Sequence, residues 1–114
     1  MATKERRWEA ICDRGDLVAG SGVCALCGTE QVALFYLPDE NPALYGLANR
    51  DPIGGANVLS RGILGDVGGE LVVASPLYKQ HFSLHSGACL EDATVRVEVY
   101  PVRLDGDRVL IARR

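Results

Sequence analysis

No stretch of this sequence is long and apolar enough to cross a membrane as a helix. Its longest apolar run is Val32 to Leu37, where a span requires about 20 residues. The amino terminus, MATKERRWEAI, lacks the apolar segment of a secretory signal, so a cytoplasmic location is expected. A basic excess is also missing: 12 Lys and Arg stand against 15 Asp and Glu, a formal net charge of -3. That balance argues against nucleic acid, which demands a basic face, and against docking on anionic membranes. The glycines form neither GxxxxGK nor a strand–GxGxxG–helix unit, so phosphate and dinucleotide binding are not expected. Between Gly54 and Gly69 their expected role is to turn the chain sharply. Helical periodicity is scarce, and no helix beyond a turn or two is expected.

What is present reads as β structure in one domain, 1–114. At this length folding buries roughly 65% of the unfolded chain's surface, enough for a core without staples. An apolar fraction of 47% and a charged fraction of 24% are those of a soluble globular protein. In a reducing compartment Cys12, Cys24, Cys27 and Cys89 are expected to be reduced thiols rather than a disulfide framework.

Lys4 to Arg7 is charged and expected to fray, and Trp8 to Cys12 reads as the first strand. Asp13 to Gly22 reads as a loop. Val23 to Cys27 and Gln31 to Leu37 read as a hairpin around Gly28, Thr29 and Glu30. In its second arm Val32, Leu34 and Tyr36 share one face while Ala33, Phe35 and Leu37 share the other. Both faces are apolar, which predicts a central strand covered on both sides. Pro38 to Pro42 is a turn, and alternation resumes over Ala43 to Ala48. From Asn49 to Gly69 the chain reads as loop, with at most a helical turn near Ala56 to Arg61. Glu70 to Ala74 is a buried strand that delivers the chain to a loop over Ser75 to Gly87. Val95, Val97 and Val99 alternate with polar residues, predicting a half-buried strand. The apolar phase then flips at Pro101, which predicts a bulge or a strand switching sheets. Asp105-Gly106 is a tight hairpin signal, and Arg108 to Ala112 reads as the closing strand.

Several short strands with Gly- and Pro-punctuated loops suggest a small β-sandwich or barrel. The stretch SPLYKQHFSLHSG, Ser75 to Gly87, resembles the second cluster-binding loop of Rieske iron–sulfur domains, Cys-Pro-x-His-Gly-x-x-Phe-x-Leu with a Gly soon after. NRDP, Asn49 to Pro52, falls where those domains carry Cys-x-His. The phrases NRDPIGGANVLSRGILGD, VVASPLYKQHFSLHSGACLED and VEVYPVRLDG are similar to the small-subunit family of assimilatory NAD(P)H-dependent nitrite reductases. The resemblance covers Trp8 to Ile111. It implies an all-β, Rieske-like β-sandwich or partly open barrel with two apical loops.

The resemblance places Asn49, Asp51, Ser75 and Tyr78 at the four ligand positions. A Rieske cluster takes two thiolates and two imidazoles, so this donor set of amide, carboxylate, alcohol and phenol implies no cluster here. Asn49 and Ser75 are expected to close the loops by side-chain to backbone hydrogen bonds instead.

Other candidate sites are weaker. Cys24-x-x-Cys27 invites a zinc reading with His81, His85 or Cys89. On a strand, however, its odd spacing sends the two thiols to opposite faces, and buried small hydrophobes fit better. His81 and His85 are four apart, but their surroundings are not helical. His81 can line a partner surface, titrate near neutral pH, or be an ordinary surface residue. Ser75, His81 and Asp51 supply a triad on paper, without any signal of an oxyanion hole. Arg50, Arg61 and Lys79 flank the loops as either a steering rim or solvated charges.

The resemblance implies an accessory, non-catalytic small subunit of an NAD(P)H nitrite reductase, which reduces nitrite to ammonium. Its partner is the large subunit, which in that family carries FAD, an iron–sulfur cluster and sirohaem; no cofactor is expected in this chain. The contact surface is expected at Arg50, Asp51, Tyr78, Lys79 and His81. The alternatives are an iron–sulfur electron carrier built on other cysteines and a stand-alone interaction domain.

Overall fold

The structure, a computed structural model, describes residues 7–113. Of the stretch expected to fray, residues 4–6 lie outside the described residues, while Arg7 already belongs to a strand. Among the described residues ten strands make three antiparallel sheets. The first sheet has the order β1-β10-β9, from β1 (Arg7–Asp13), β9 (Val102–Asp105) and β10 (Arg108–Arg113). The second has the order β2-β3-β4-β8, from β2 (Ser21–Cys27), β3 (Glu30–Tyr36), β4 (Leu44–Ala48) and β8 (Val99–Tyr100). The third has the order β5-β6-β7, from β5 (Ile63–Val67), β6 (Glu70–Ala74) and β7 (His81–Ser83). The sheets do not close into a barrel. The only helical segments among the described residues are 3₁₀ turns at Arg14–Asp16 and Leu59–Arg61.

β3 explains the layering. Its Val32 and Leu34 pack with Leu44, Val109 and Ile111, filling the space beneath the first sheet. Its Ala33 and Phe35 face the other way and pack with Leu59, Val73, Phe82 and Leu84, beneath the third sheet. A strand apolar on both faces thus separates two cores, as the absence of a polar face requires. The β2–β3 turn is shorter than its composition suggested: Cys27 pairs with Glu30 and only Gly28 and Thr29 turn.

Pro101 marks a change of sheet. Val99 and Tyr100 pair with β4, whereas Val102 to Asp105 pair with β10. The phase flip in the sequence is that switch. The half-buried strand expected over Val95 to Val99 is corrected: the named strand begins only at Val99, and before it Arg96 makes a single antiparallel bridge to Ala88. The alternation itself is real: Val97 is buried while Arg96 and Glu98 are exposed. Two strands also lie where loop was expected, β5 within 49–69 and β7 within 75–87.

The second and third sheets position the two loops. β4 ends at Ala48 and feeds the first, and β6 ends at Ala74 and feeds the second. β7 then starts opposite Ala74, so the second loop is closed at its base by the Ala74–His81 pair. Beyond β7 the chain passes Gly87, where φ is 77° and a Cβ would lie 2.1 Å from the Val97 carbonyl oxygen. Only glycine fits that left-handed, crowded position.

Candidate functional site

The two loops meet at one end of the molecule, and three of the four positions singled out in the sequence point inward. Asn49, Asp51 and Ser75 are all buried, with at most 2% of each exposed. Tyr78 is the exception: it is 63% exposed.

Asp51 is held by its own loop. Its Oδ1 accepts hydrogen bonds from the Ile53 N–H at 2.8 Å and the Gly54 N–H at 3.1 Å. Its backbone N–H donates to the Ala56 carbonyl at 2.8 Å, and its carbonyl accepts from Gly55 at 2.7 Å. Aspartate commonly closes turns in this way. The remaining oxygen, Oδ2, accepts a short hydrogen bond from the Ser75 hydroxyl. That bond joins the first loop to the second.

Ser75 organises the second loop in turn. Its Oγ accepts from the Leu77 N–H at 3.3 Å. Its N–H donates to the Gln80 carbonyl at 2.9 Å, and its carbonyl accepts from the Lys79 N–H at 3.0 Å. The tight closure places Lys79 in the left-handed region, with φ 63°. The loops touch at Gly54, where a Cβ would lie 2.4 Å from Leu77 Cδ1 and would displace that side chain.

Asn49 belongs to a different network. Its Nδ2 donates to Gln31 Oε1 and to the Asn57 carbonyl, both at 3.1 Å, and lies 3.5 Å from Cys24 Sγ. Its Oδ1 accepts from the Ser60 N–H at 2.7 Å. It therefore ties the first loop to the central sheet rather than to Ser75. Its partners Gln31 and Ser60 were not apparent in the sequence, where both look like ordinary polar positions.

Electrostatics at Asp51 follow from this geometry. Burial is the largest single influence and pushes its carboxyl pKa up; the hydrogen bonds from Ser75, Gly54 and Ile53 together outweigh it. The net effect holds the group below its ordinary range, so the carboxylate is ionised and satisfied.

The other candidates separate. Asp51, expected at the contact surface, is fully buried and does not reach solvent. His81 opens β7, where its Nδ1 lies 2.5 Å from Glu91 Oε2 and its N–H donates to Glu91 Oε1 at 2.8 Å. Ser75 thus bonds Asp51 directly and His81 faces Glu91, so no triad is assembled. His85 is exposed and stands edge-on to the Tyr45 ring at 5.1 Å. Cys24 is exposed and Cys27 buried, on opposite faces of β2 as their spacing predicts. Among the described residues no three or more His, Cys, Asp or Glu side chains converge in a metal-binding group. No helix among them is long and apolar enough to span a membrane.

Antiparallel sheets presenting two apical loops at one end have the plan of a Rieske-type domain, and residues 7–112 match the family of the Rieske-like [2Fe-2S] domain. The nitrite reductase (NADH) small subunit of Salmonella typhimurium is 46% identical over 98 residues, 86% of this chain and 90% of that protein. The solved structure of the E. coli protein NirD superposes with a TM-score of 0.83 at 40% identity, covering 96% of this chain and 98% of that one. A stretch amounting to 12% of the nitrite reductase [NAD(P)H] large subunit of Klebsiella oxytoca is also similar, 40% identical over 113 residues and 99% of this chain. The chain belongs to the nitrite reductase small-subunit family, a Rieske-like family whose members are named as part of an oxidoreductase complex.

Proposed function

We propose that this chain is an accessory, non-catalytic subunit of a cytoplasmic NAD(P)H nitrite reductase, docking on a large subunit that carries FAD, an iron–sulfur cluster and sirohaem. The supporting observation is the buried Asp51–Ser75 hydrogen bond, which joins the two loops at the place where a Rieske domain holds its cluster. A Rieske [2Fe-2S] centre needs soft thiolate on one iron and neutral imidazole on the other. The inward-facing groups here are an amide, a carboxylate and a hydroxyl whose acceptors and donors are already taken by protein. The fourth, the Tyr78 phenol, faces outward. These residues do not fit the cluster, and no electron-transfer step is assigned to the chain.

The tip is then a contact surface. Arg50, Tyr78 and Lys79 are exposed there, and His81 is half-buried beside them. Asp51 supports that surface from beneath. The large-subunit partner is also consistent with the Klebsiella oxytoca relative, where a similar stretch lies within a longer chain.

Iron and sulfide analysis of protein purified with and without oxygen tests the absence of a cluster. We expect neither stoichiometric iron nor visible absorbance; a stoichiometric iron–sulfur chromophore overturns the reading in favour of an electron carrier. Co-purification under growth on nitrate tests the partner. We expect the untagged chain to accompany a large sirohaem protein, and persistent failure to do so favours a stand-alone interaction domain.

A further inference from the structure

We propose that Leu77 and Tyr78, with Ile53 beside them, anchor the docking surface, and that the partner face they fit is an apolar recess rimmed by carboxylates. This rests on the accessory-subunit reading above and names the chemistry of the contact.

Ile53 is 40% exposed, Leu77 42% and Tyr78 63%. These are large apolar side chains on two loops that have polar or small residues at hand. They are also contiguous. Leu77 Cδ1 and Tyr78 Cε2 lie 2.4 and 3.4 Å from where a Cβ on Gly54 would stand, so both fold over the backbone next to Ile53. An apolar patch held together in this way marks an interaction site more than isolated exposed residues do. A tyrosine presented on a fixed loop is the kind of residue that dominates binding energy.

The patch is preformed. The Asp51–Ser75 bond fixes the loops relative to each other, and the Ser75–Gln80 and Ser75–Lys79 backbone bonds fix the turn that carries Leu77 and Tyr78. Little loop entropy is then lost on docking.

Charge selects the partner. Exposed Arg50 and Lys79 flank the patch. Asp51 is buried under three hydrogen bonds, and Glu91 lies against His81. On a chain of net charge -3, the exposed charged side chains next to the patch on these two loops are thus cationic, with the ionised Asp51 carboxylate buried beneath them. A second copy meeting it tip to tip would oppose like charges, as an isologous contact must. A recess edged by Asp and Glu on a different chain is complementary.

The test measures binding of the full chain to purified large subunit at low and high salt. Leu77→Ser/Tyr78→Ser is expected to weaken affinity about thirtyfold, mostly through faster dissociation. Tyr78→Phe, which keeps the ring, should retain most of the affinity. Arg50→Glu/Lys79→Glu should slow association about tenfold and flatten its salt dependence. Val67→Ser, at the far end of the β5–β6 hairpin, serves as the control and should change nothing. Should the double serine variant lose its folding transition, Tyr78→Ser alone, at a solvent-facing ring, keeps the measurement readable. Affinity within about twofold of wild type for the serine variants, on a scale where hot-spot losses are far larger, overturns the anchor. Unchanged salt dependence after charge reversal overturns the carboxylate rim. If the wild-type chain itself does not bind, the accessory-subunit reading fails, and the anchor fails with it.

Discussion

The sheets and the tip are buried to a similar degree by opposite chemistry. In the sheets Leu34, Phe35, Val73 and Phe82 are fully enclosed by other apolar side chains. At the tip the enclosed groups are Asn49, Asp51 and Ser75, each satisfied by hydrogen bonds from loop backbone or a neighbouring side chain. Apolar burial is strong but non-directional, and it tolerates repacking. Polar burial contributes less net stability, yet it is directional and intolerant of a missing partner. The sheets therefore supply the stability, and the tip supplies a fixed shape.

Phe82→Ala is the strongest way to test that division. Phe82 pairs with Val73 in the ladder and sits in the core beneath the third sheet. Removing it should cost about 3–5 kcal/mol, read by urea denaturation as a lower midpoint for the whole domain. If the loss appeared only as loosened loops, the sheets would not be the source of stability.

Asp51→Ala comes next and should act locally. It leaves the Ser75 hydroxyl and the Ile53 and Gly54 N–H groups without their acceptor. A cost of about 2–3 kcal/mol is expected. Faster amide exchange should be confined to the two loops, with the strands still protected. A pH dependence follows. The folded-state pKa of Asp51 lies below its ordinary value, so its contribution is complete above the unfolded value, about 3.9, and is lost as pH falls through the folded one. Wild type should thus lose more stability than Asp51→Ala on acidification below about pH 4. Parallel acid curves would show that the carboxylate is not the tie.

Much of the framework was legible in the sequence, because one-sided and two-sided burial leave different patterns. The doubly apolar β3 announced a central strand, and the phase flip at Pro101 announced the sheet switch. β5 was not legible: as an edge strand carrying Gly65, with Ile63 and Val67 exposed, it has no alternating face to detect. β7 spans only His81–Ser83, too short for any period. The Val95 to Val99 alternation reported which side chains are buried, but burial does not reveal ladder partners. At the tip the residue types pointed to the right loops but not to their orientation. A lone Asp is usually exposed; here the Ile53 and Gly54 N–H groups and the Ser75 hydroxyl, 24 positions away, make its burial tenable, and the distant partner leaves no local signal. Glu91 was invisible as His81's partner for the same reason.

A smaller effect is expected where tip and sheet meet at the surface. Glu91 takes both the backbone N–H and the ring nitrogen of His81, and the backbone bond is the main cause of its lowered pKa. The pair is open to solvent, so Glu91→Gln should cost less than about 1 kcal/mol and shrink further with added salt. A loss as large as that of Asp51→Ala would mean that exposed and buried carboxylates hold this end equally, which would erase the distinction.

The smallest effect belongs to Cys24, and it probes the comparison from the side of the sheet. Cys24 is exposed on β2, within 3.5 Å of Asn49 Nδ2, while Cys27 and Cys89 are buried. A sulfur is a weak hydrogen-bond acceptor, and Asn49 keeps two oxygen partners without it. Cys24→Ser should therefore leave the unfolding midpoint nearly unchanged. Thiol alkylation of the native protein should modify Cys24 first, with Cys27 and Cys89 reacting only as the sheets open. Because the two sulfurs of Cys24-x-x-Cys27 face opposite sides of β2, added zinc should not protect Cys24 from the reagent. Zinc protection of both thiols together would require β2 to reorganise into a turn, and the hairpin that anchors Asn49 would have to be redrawn.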